Sequence, residues 1–241
     1  MGEMIRKMFR NFRRYSLYLV LEIIVLICQY TIFIDRTSDI IGGKSIRSTS
    51  GLTFLGSIII FFITPLLAGY LATINKNILT GKRKKFREEL SEGISYYWSV
   101  LGGTLLVGLM MAGVIILMVI FIAVPLIGIL GAIAGFLFII YLAVKYSALT
   151  EAIVYRDCGV SEGMDACKNV TKEYFGELFI LIIPASALSI ISNFVAGVYV
   201  LFSISVMVML YSMFASYYRI TLISREYGEE YNEVIQEEEE E

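Results

Sequence analysis

GVIILMVIFIAV, residues Gly113–Val124, holds no polar side chain and no alternation of polar with apolar residues. A strand of a membrane barrel alternates over roughly ten positions, because one face meets lipid and the other the lumen. A helix satisfies its own backbone, and about 20 apolar residues of helix cover the hydrocarbon core. The stretch therefore reads as the interior of a spanning helix, expected over Tyr97–Ile122. Outward from it, segments of the same character occupy Tyr15–Ile34, Leu52–Ile74, Leu126–Val144, Leu178–Asn193 and Val198–Tyr218. The fifth in chain order is short and carries Pro184. The predicted fold is all-α: six transmembrane helices (residues 15–218), an amphipathic basic helix over 1–14, two cytoplasmic interfacial helices and an acidic, disordered cytoplasmic tail over 219–241. The chain is 57% hydrophobic and 17% charged over 241 residues. Its mean hydropathy is +0.74.

Cations near span ends set orientation. Before the first span lie Arg6, Lys7, Arg10, Arg13 and Arg14; after the second, Lys76, Lys82, Arg83, Lys84, Lys85 and Arg87. After the fourth come Lys145, Arg156, Lys168 and Lys172, and after the sixth Arg219 and Arg225. With six spans these share one side, 17 of the 20 cations, leaving Arg36, Lys44 and Arg47 opposite. Both termini are expected in the cytoplasm and the protein in the cell membrane. The basic start followed by an apolar run has the outline of a signal peptide. The run is as long as a span and no small-residue cleavage site follows, so an uncleaved anchor is expected. On a helix Met4, Ile5, Met8, Phe9 and Phe12 share one face, and Arg6, Lys7, Arg10, Asn11 and Arg13 the other. Such a helix suits a headgroup layer rich in anionic lipid, and it also serves as an orientation signal.

Several chemistries are excluded. The chain has no His, which removes His-based zinc sites, catalytic triads and haem ligation. Cys28, Cys158 and Cys167 have no metal or redox spacing. No Gly-rich phosphate loop follows a strand, and the basic loop that topology explains is no nucleic-acid motif. No cofactor or metal is expected.

The two long cytoplasmic connections share a pattern. Ile78–Leu101 and Ile153–Phe179 each have a Gly-containing turn (Gly81; Gly159), an amphipathic helix, then an aromatic pair (Tyr97 and Trp98; Tyr174 and Phe175). Phe86, Leu90 and Ile94 form one apolar stripe; Val160, Met164, Cys167 and Thr171 form the other, with Ser161 as N-cap. An internal duplication accounts for this. So does the need of any such connection for a surface helix.

TPLLAGYLATINKNILTGKRKKFREELSEG (Thr64–Gly93) and EAIVYRDCGVSEGMDACKNVTKEYFGELF (Glu151–Phe179) carry a resemblance. The first has Pro65, the Gly69-Tyr70 pair and a Gly-bounded amphipathic helix; the second has an acidic residue, a short turn and a polar helix before the fifth span. The chain from about Thr64 to Tyr218 resembles a family of uncharacterised six-span membrane proteins of archaea and bacteria. That family is similar to the membrane domain attached to some glycerophosphoryl diester phosphodiesterases. Gly163 and Met164 depart from the Ala-Leu usual in that group. The 241 residues hold no phosphodiesterase domain, so the resemblance implies the fold and no hydrolysis.

Polar residues inside spans are candidate sites. Glu22 is the one carboxylate well inside a span, with Gln29 two turns further on the same face. Lys76, Lys145 and Arg219 are offered as its partners. It reads either as a proton- or cation-coupled site or as a structural ion pair. Ser186, Ser189 and Asn193 form a stripe on the fifth span, and Ser205, Ser212 and Ser216 one on the sixth. Such residues, like the pairs Gly131/Gly135 and Gly108/Ala112, mostly let helices approach. Pro184 is placed to kink its span. Lys82, Arg83, Lys84, Lys85 and Arg87 form a cytoplasmic contact for a protein partner or lipid. The expected function is a transport-type protein or permease-like subunit. The alternative is a non-catalytic scaffold or accessory subunit organising lipid or a partner. An intramembrane lipid enzyme would need clustered ionisable residues at one depth, and an enzyme is not expected.

Overall fold

The structure is a computed structural model. It describes residues 2–41, 50–122, 125–194 and 198–240, with side chains over 6–28, 55–121, 128–188, 191 and 203–228. Helices follow in the order α1 (Gly2–Arg10), α2 (Ser16–Ile41), α3 (Ser50–Leu79), α4 (Phe86–Ser95), α5 (Tyr97–Ile122), α6 (Pro125–Lys145), α7 (Leu149–Arg156), α8 (Val160–Phe194) and α9 (Val198–Glu240). A 3-10 turn, Phe12–Tyr15, joins α1 to α2. No strand occurs among the described residues. Four stretches are long and apolar enough to cross a membrane: Leu55–Leu79, Tyr97–Phe121, Gly128–Arg156 and Ser203–Gly228. The chain is a multi-pass helical membrane protein. The other two expected spans fall on α2 and on the second half of α8, whose side chains are described only in part.

Turn chemistry differs from the sequence reading in instructive places. After α3 the chain reverses at Gly81, whose φ of 72° is open to glycine and strained for other residues. After α7 the left-handed residue is Asp157 (φ 54°), not Gly159. Aspartate tolerates that region better than most side chains. Helix α8 starts at Val160, with the Gly163 N–H bonded to the Gly159 carbonyl, so Ser161 lies inside the first turn instead of capping it. Helix α8 passes through Pro184; its non-helical residue is Tyr174 (φ −113°, ψ 25°), between the polar and apolar halves. Helix α9 continues past the expected end at Tyr218. Ile220, Leu222 and Ile223 are buried against the cluster around α7, so the packed part of α9 runs past the expected start of the tail at Arg219. Helical backbone runs on to Glu240, through the stretch assigned to disorder.

Helix α3 is the hub, touching α2, α4, α5, α7 and α9. Around it Leu67, Tyr70, Leu71, Ile74 and Ile78 pack with Tyr15, Tyr18, Met213 and Tyr217. A second cluster surrounds the short α7, which is buried along Glu151–Tyr155 and wrapped by α3, α5, α8 and α9. Both clusters lie at the end where α3, α6 and α7 finish and α5 begins. On α4 the inward residues are Glu89 and Gly93, with Leu90 half-buried, while Phe86 and Ile94 are exposed. Of the expected Phe86–Leu90–Ile94 stripe, only Leu90 turns partly toward the other helices. Gly93 lets the α4 backbone come onto α3, and Glu89 turns toward a cation described below. Between α5 and α6, Gly131 and Gly135 meet Phe121 and Met118, while Gly108 and Gly113 face open surroundings.

A Cβ at residue 93 would stand 2.8 Å from the Tyr70 Cα, a contact that only backbone movement relieves. Gly93→Ala is expected to lower stability by about 1–3 kcal/mol in spite of alanine's better helix propensity. Gly108→Ala, which meets nothing within 4 Å, should be neutral or stabilising. Thermal melting of the two variants in one detergent checks the contrast.

Candidate functional site

The apolar run of α3 ends in TINKN, Thr73–Asn77, and every polar side chain in it is buried. Burial of polar groups requires partners, and this segment finds most of them on the 3-10 turn, α4, α7 and α9, the Asn77 Oδ1 being left without one among the described residues. The Thr73 hydroxyl donates to the Gly69 carbonyl at 2.9 Å. Asn75 bridges two helices: its Oδ1 accepts from the Tyr15 hydroxyl at 2.6 Å, and its Nδ2 donates to Ser216 Oγ at 3.0 Å. Lys76 Nζ donates to the Val154 carbonyl of α7 at 2.8 Å and lies over the Tyr96 ring at 5.8 Å. Asn77 Nδ2 donates to Glu92 Oε2 at 3.2 Å, and Lys84 Nζ reaches the same oxygen at 2.9 Å.

Two buried carboxylates flank this segment. Glu151 of α7 is 3% exposed, and one of its oxygens accepts from Arg219 Nε at 2.9 Å and Nη2 at 2.8 Å. Glu89 of α4 is 2% exposed and is paired with Arg14, whose Nη2 also donates to the Lys82 carbonyl at 3.2 Å. Burial pushes the Glu89 carboxyl above the usual range, against the downward pull of Arg14. Neighbouring contacts tie α9 to α7 and α8: Tyr155 to Ser224 at 3.0 Å, Asn169 to Tyr227 at 3.1 Å, and Arg156 over the Tyr227 ring at 4.3 Å. Thr171 on α8 donates to the Lys145 carbonyl at 3.0 Å.

The result is a layer of bonded polar groups at one end of the helices. Its chemical competence is positional. The carboxylates are consumed by arginines, and no group of three His, Cys, Asp or Glu side chains among the described residues is arranged for a metal. The concavity outside it is an open groove of about 600 Å³ on α4, lined by Lys85, Arg87, Glu88, Ser91, Glu92 and Ser95.

The residues singled out from sequence are distributed differently. Glu22 is half-buried on α2 and, among the described residues, has no hydrogen bond or ion pair. The cations offered to it are engaged elsewhere: Lys76 with Val154, Arg219 with Glu151, and Lys145 over the rings of Tyr141 and Tyr146. Ser186 is exposed on α8, away from the polar layer; the side chains of Gln29, Ser189 and Asn193 lie outside the described residues. Ser216 belongs to the layer, and Ser212 stands 3.5 Å from the Tyr18 hydroxyl. Lys82, Arg83, Lys85 and Arg87 are exposed beside the layer, while Lys84 turns inward to Glu92. Sequence reasoning missed Glu89, Glu151 and the TINKN segment as one site. The available signal was three successive polar residues, Asn75 to Asn77, closing an apolar run. No protein-family model, curated protein or solved structure matches this chain.

Removing one partner of a buried ion pair leaves the other charge stranded. Arg219→Ala should destabilise by about 3 kcal/mol, near the low end for such pairs because the arginine is partly exposed. The double variant Arg219→Met with Glu151→Leu should recover most of that loss, since it removes both charges and keeps the volume. Thermal unfolding of the single and double variants in detergent checks the order.

Proposed function

We propose that this chain is the membrane-embedded, non-catalytic subunit of a transport-type assembly, with six spans and both termini in the cytoplasm. Burial carries the reading: 44% of the apolar window of α3 and of α9 is buried within the chain, against 0% of that of α5. The α5–α6 hairpin thus presents apolar side chains on most of its circumference, Leu109, Ile116, Leu130 and Phe136 among them. A self-contained carrier needs polar lining at mid-depth. Here the buried hydrogen-bonded and ion-paired polar side chains centred on Thr73–Asn77 gather at one end, with Glu22 and Ser186 apart from them. An end tied by polar bonds plus an apolar hairpin uncovered within the chain suits a subunit that completes its packing on another membrane polypeptide. The charge asymmetry supports the orientation, and the resemblance over Thr64–Tyr218 supports the span count.

A second reading, a proton-coupled carrier acting alone, is favoured by one observation: the half-buried carboxylate of Glu22 inside α2. The two readings separate in reconstituted vesicles with a pH-sensitive dye inside. Proton flux by the purified single chain, lost in Glu22→Gln, would establish the carrier. Silence leaves the subunit.

In native membranes extracted with mild detergent, the chain is expected at a fixed ratio to a second polypeptide by native mass spectrometry. Gly108→Trp, at a position with nothing within 4 Å, should release that polypeptide without lowering the melting temperature. A chain recovered only as a lipid-bearing monomer of 27.1 kDa would refute the subunit reading. Orientation is checked with the native thiols. Cys158 is half-exposed beside the turn after α7, and Cys167 is buried with its thiol pushed up by that burial. A membrane-impermeant maleimide should label Cys158 only in opened cells. Cys167 should stay unlabelled until the protein is unfolded.

A further inference from the structure

We propose that α1, the 3-10 turn and the Lys82–Arg87 segment form one continuous binding surface for anionic phospholipid headgroups. The two segments are about 70 residues apart in sequence, and Arg14 joins them: one nitrogen reaches the Lys82 carbonyl at 3.2 Å while the guanidinium pairs with Glu89 beneath. That junction sets Arg6, Lys7, Arg10 and Arg13, all exposed, on one side, and Lys82, Arg83, Lys85 and Arg87, also exposed, on the other.

Two carboxylates of this region are engaged by cations: Glu89 by Arg14, and Glu92 by Lys84 with Asn77 beside it. Glu88 is exposed and accepts the Lys85 backbone N–H at 3.0 Å, closing the first turn of α4. Glu3 is the sole acidic residue among 1–14. The outward face is therefore strongly cationic although the whole chain carries a formal charge of −2.

Phenylalanines are interleaved with these cations: Phe9 is 69% exposed, Phe12 44% and Phe86 46%. Exposed rings beside exposed cations suit the boundary between headgroups and acyl chains, where the ring enters the apolar layer and the cation meets phosphate. An acidic protein partner would satisfy the cations and leave three phenylalanines in water. This inference is independent of the subunit reading, since it needs only that the surface lie at a bilayer.

The test uses the full chain in neutral detergent, titrated with dioleoyl phosphatidylglycerol or dioleoyl phosphatidylcholine and read by native mass spectrometry. The anionic lipid should bind at least about tenfold more tightly. Neutralising Arg83, Lys85 and Arg87 to Gln should weaken it by about tenfold or more. Neutralising Arg6, Arg10 and Arg13 to Gln should do the same. Lys168→Gln with Lys172→Gln should leave it unchanged. All positions are exposed, so melting temperatures should match the parent. Equal binding of the two lipids overturns the proposal, as does an equal loss in the Lys168/Lys172 control. An effect confined to one of the two cationic segments overturns the continuous surface. Displacement of the lipid by millimolar inorganic phosphate assigns the surface to a free anion and overturns the lipid.

Discussion

A carboxylate cannot enter the packed interior of an apolar helix bundle without a counter-charge, and Arg219 supplies one to Glu151. The consequences spread from that pair. Helix α7 is too short to stand alone, and it sits at the centre of the larger apolar cluster. Its buried acid fixes which face of α9 must approach it, and hence how far α9 must run. The burial of Ile220, Leu222 and Ile223 beyond the expected span end follows from that approach.

A second pair, Glu89 with Arg14, does for α4 what the first does for α7. In each case the acid comes from a short internal helix and the arginine from near one end of the chain. The segment before α2 and the C-terminal portion of α9 are thereby drawn onto the same layer, with Asn75 linking Tyr15 to Ser216 between them. Close packing reinforces the polar bonds: α4 meets α3 at Gly93, and the first turn of α8 meets α7 where Gly163 faces Ile153. The two connections thus share a plan of turn, inward-packed helix and aromatic break at Tyr96 or Tyr174. The first break separates α4 from α5, and the second is a kink at Tyr174 that parts the polar half of α8 from its apolar half.

Much of the helical layout was legible because lipid exposure demands long runs without polar interruption, and such runs survive inspection of a single sequence. Helix α5 matches Tyr97–Ile122 for this reason. Facing was legible only where a run was strongly one-sided. On α4 the sequence showed an apolar stripe of Phe86, Leu90 and Ile94 but not which residues face the bundle, and the inward positions are a glycine and a glutamate, Gly93 and Glu89. Glu22 drew attention because it interrupts an apolar run. Glu89 and Glu151 did not, because they stand among polar residues in sequence and become buried only through tertiary packing. The same holds for TINKN, which reads as a solvated helix end until the elements that cover it are in place.

Composition and periodicity determined, unaided, that this chain is helical, that it lives in a bilayer and that its cations crowd the ends of its apolar runs, since these properties follow from transfer of side chains between water and lipid, one segment at a time. Which acids meet which arginines, that α4 presses its backbone on α3, and that Arg14 reaches the Lys82 carbonyl were decided by the tertiary structure. Each depends on the meeting of segments far apart in the chain, and no local pattern of residues encodes a distance between them.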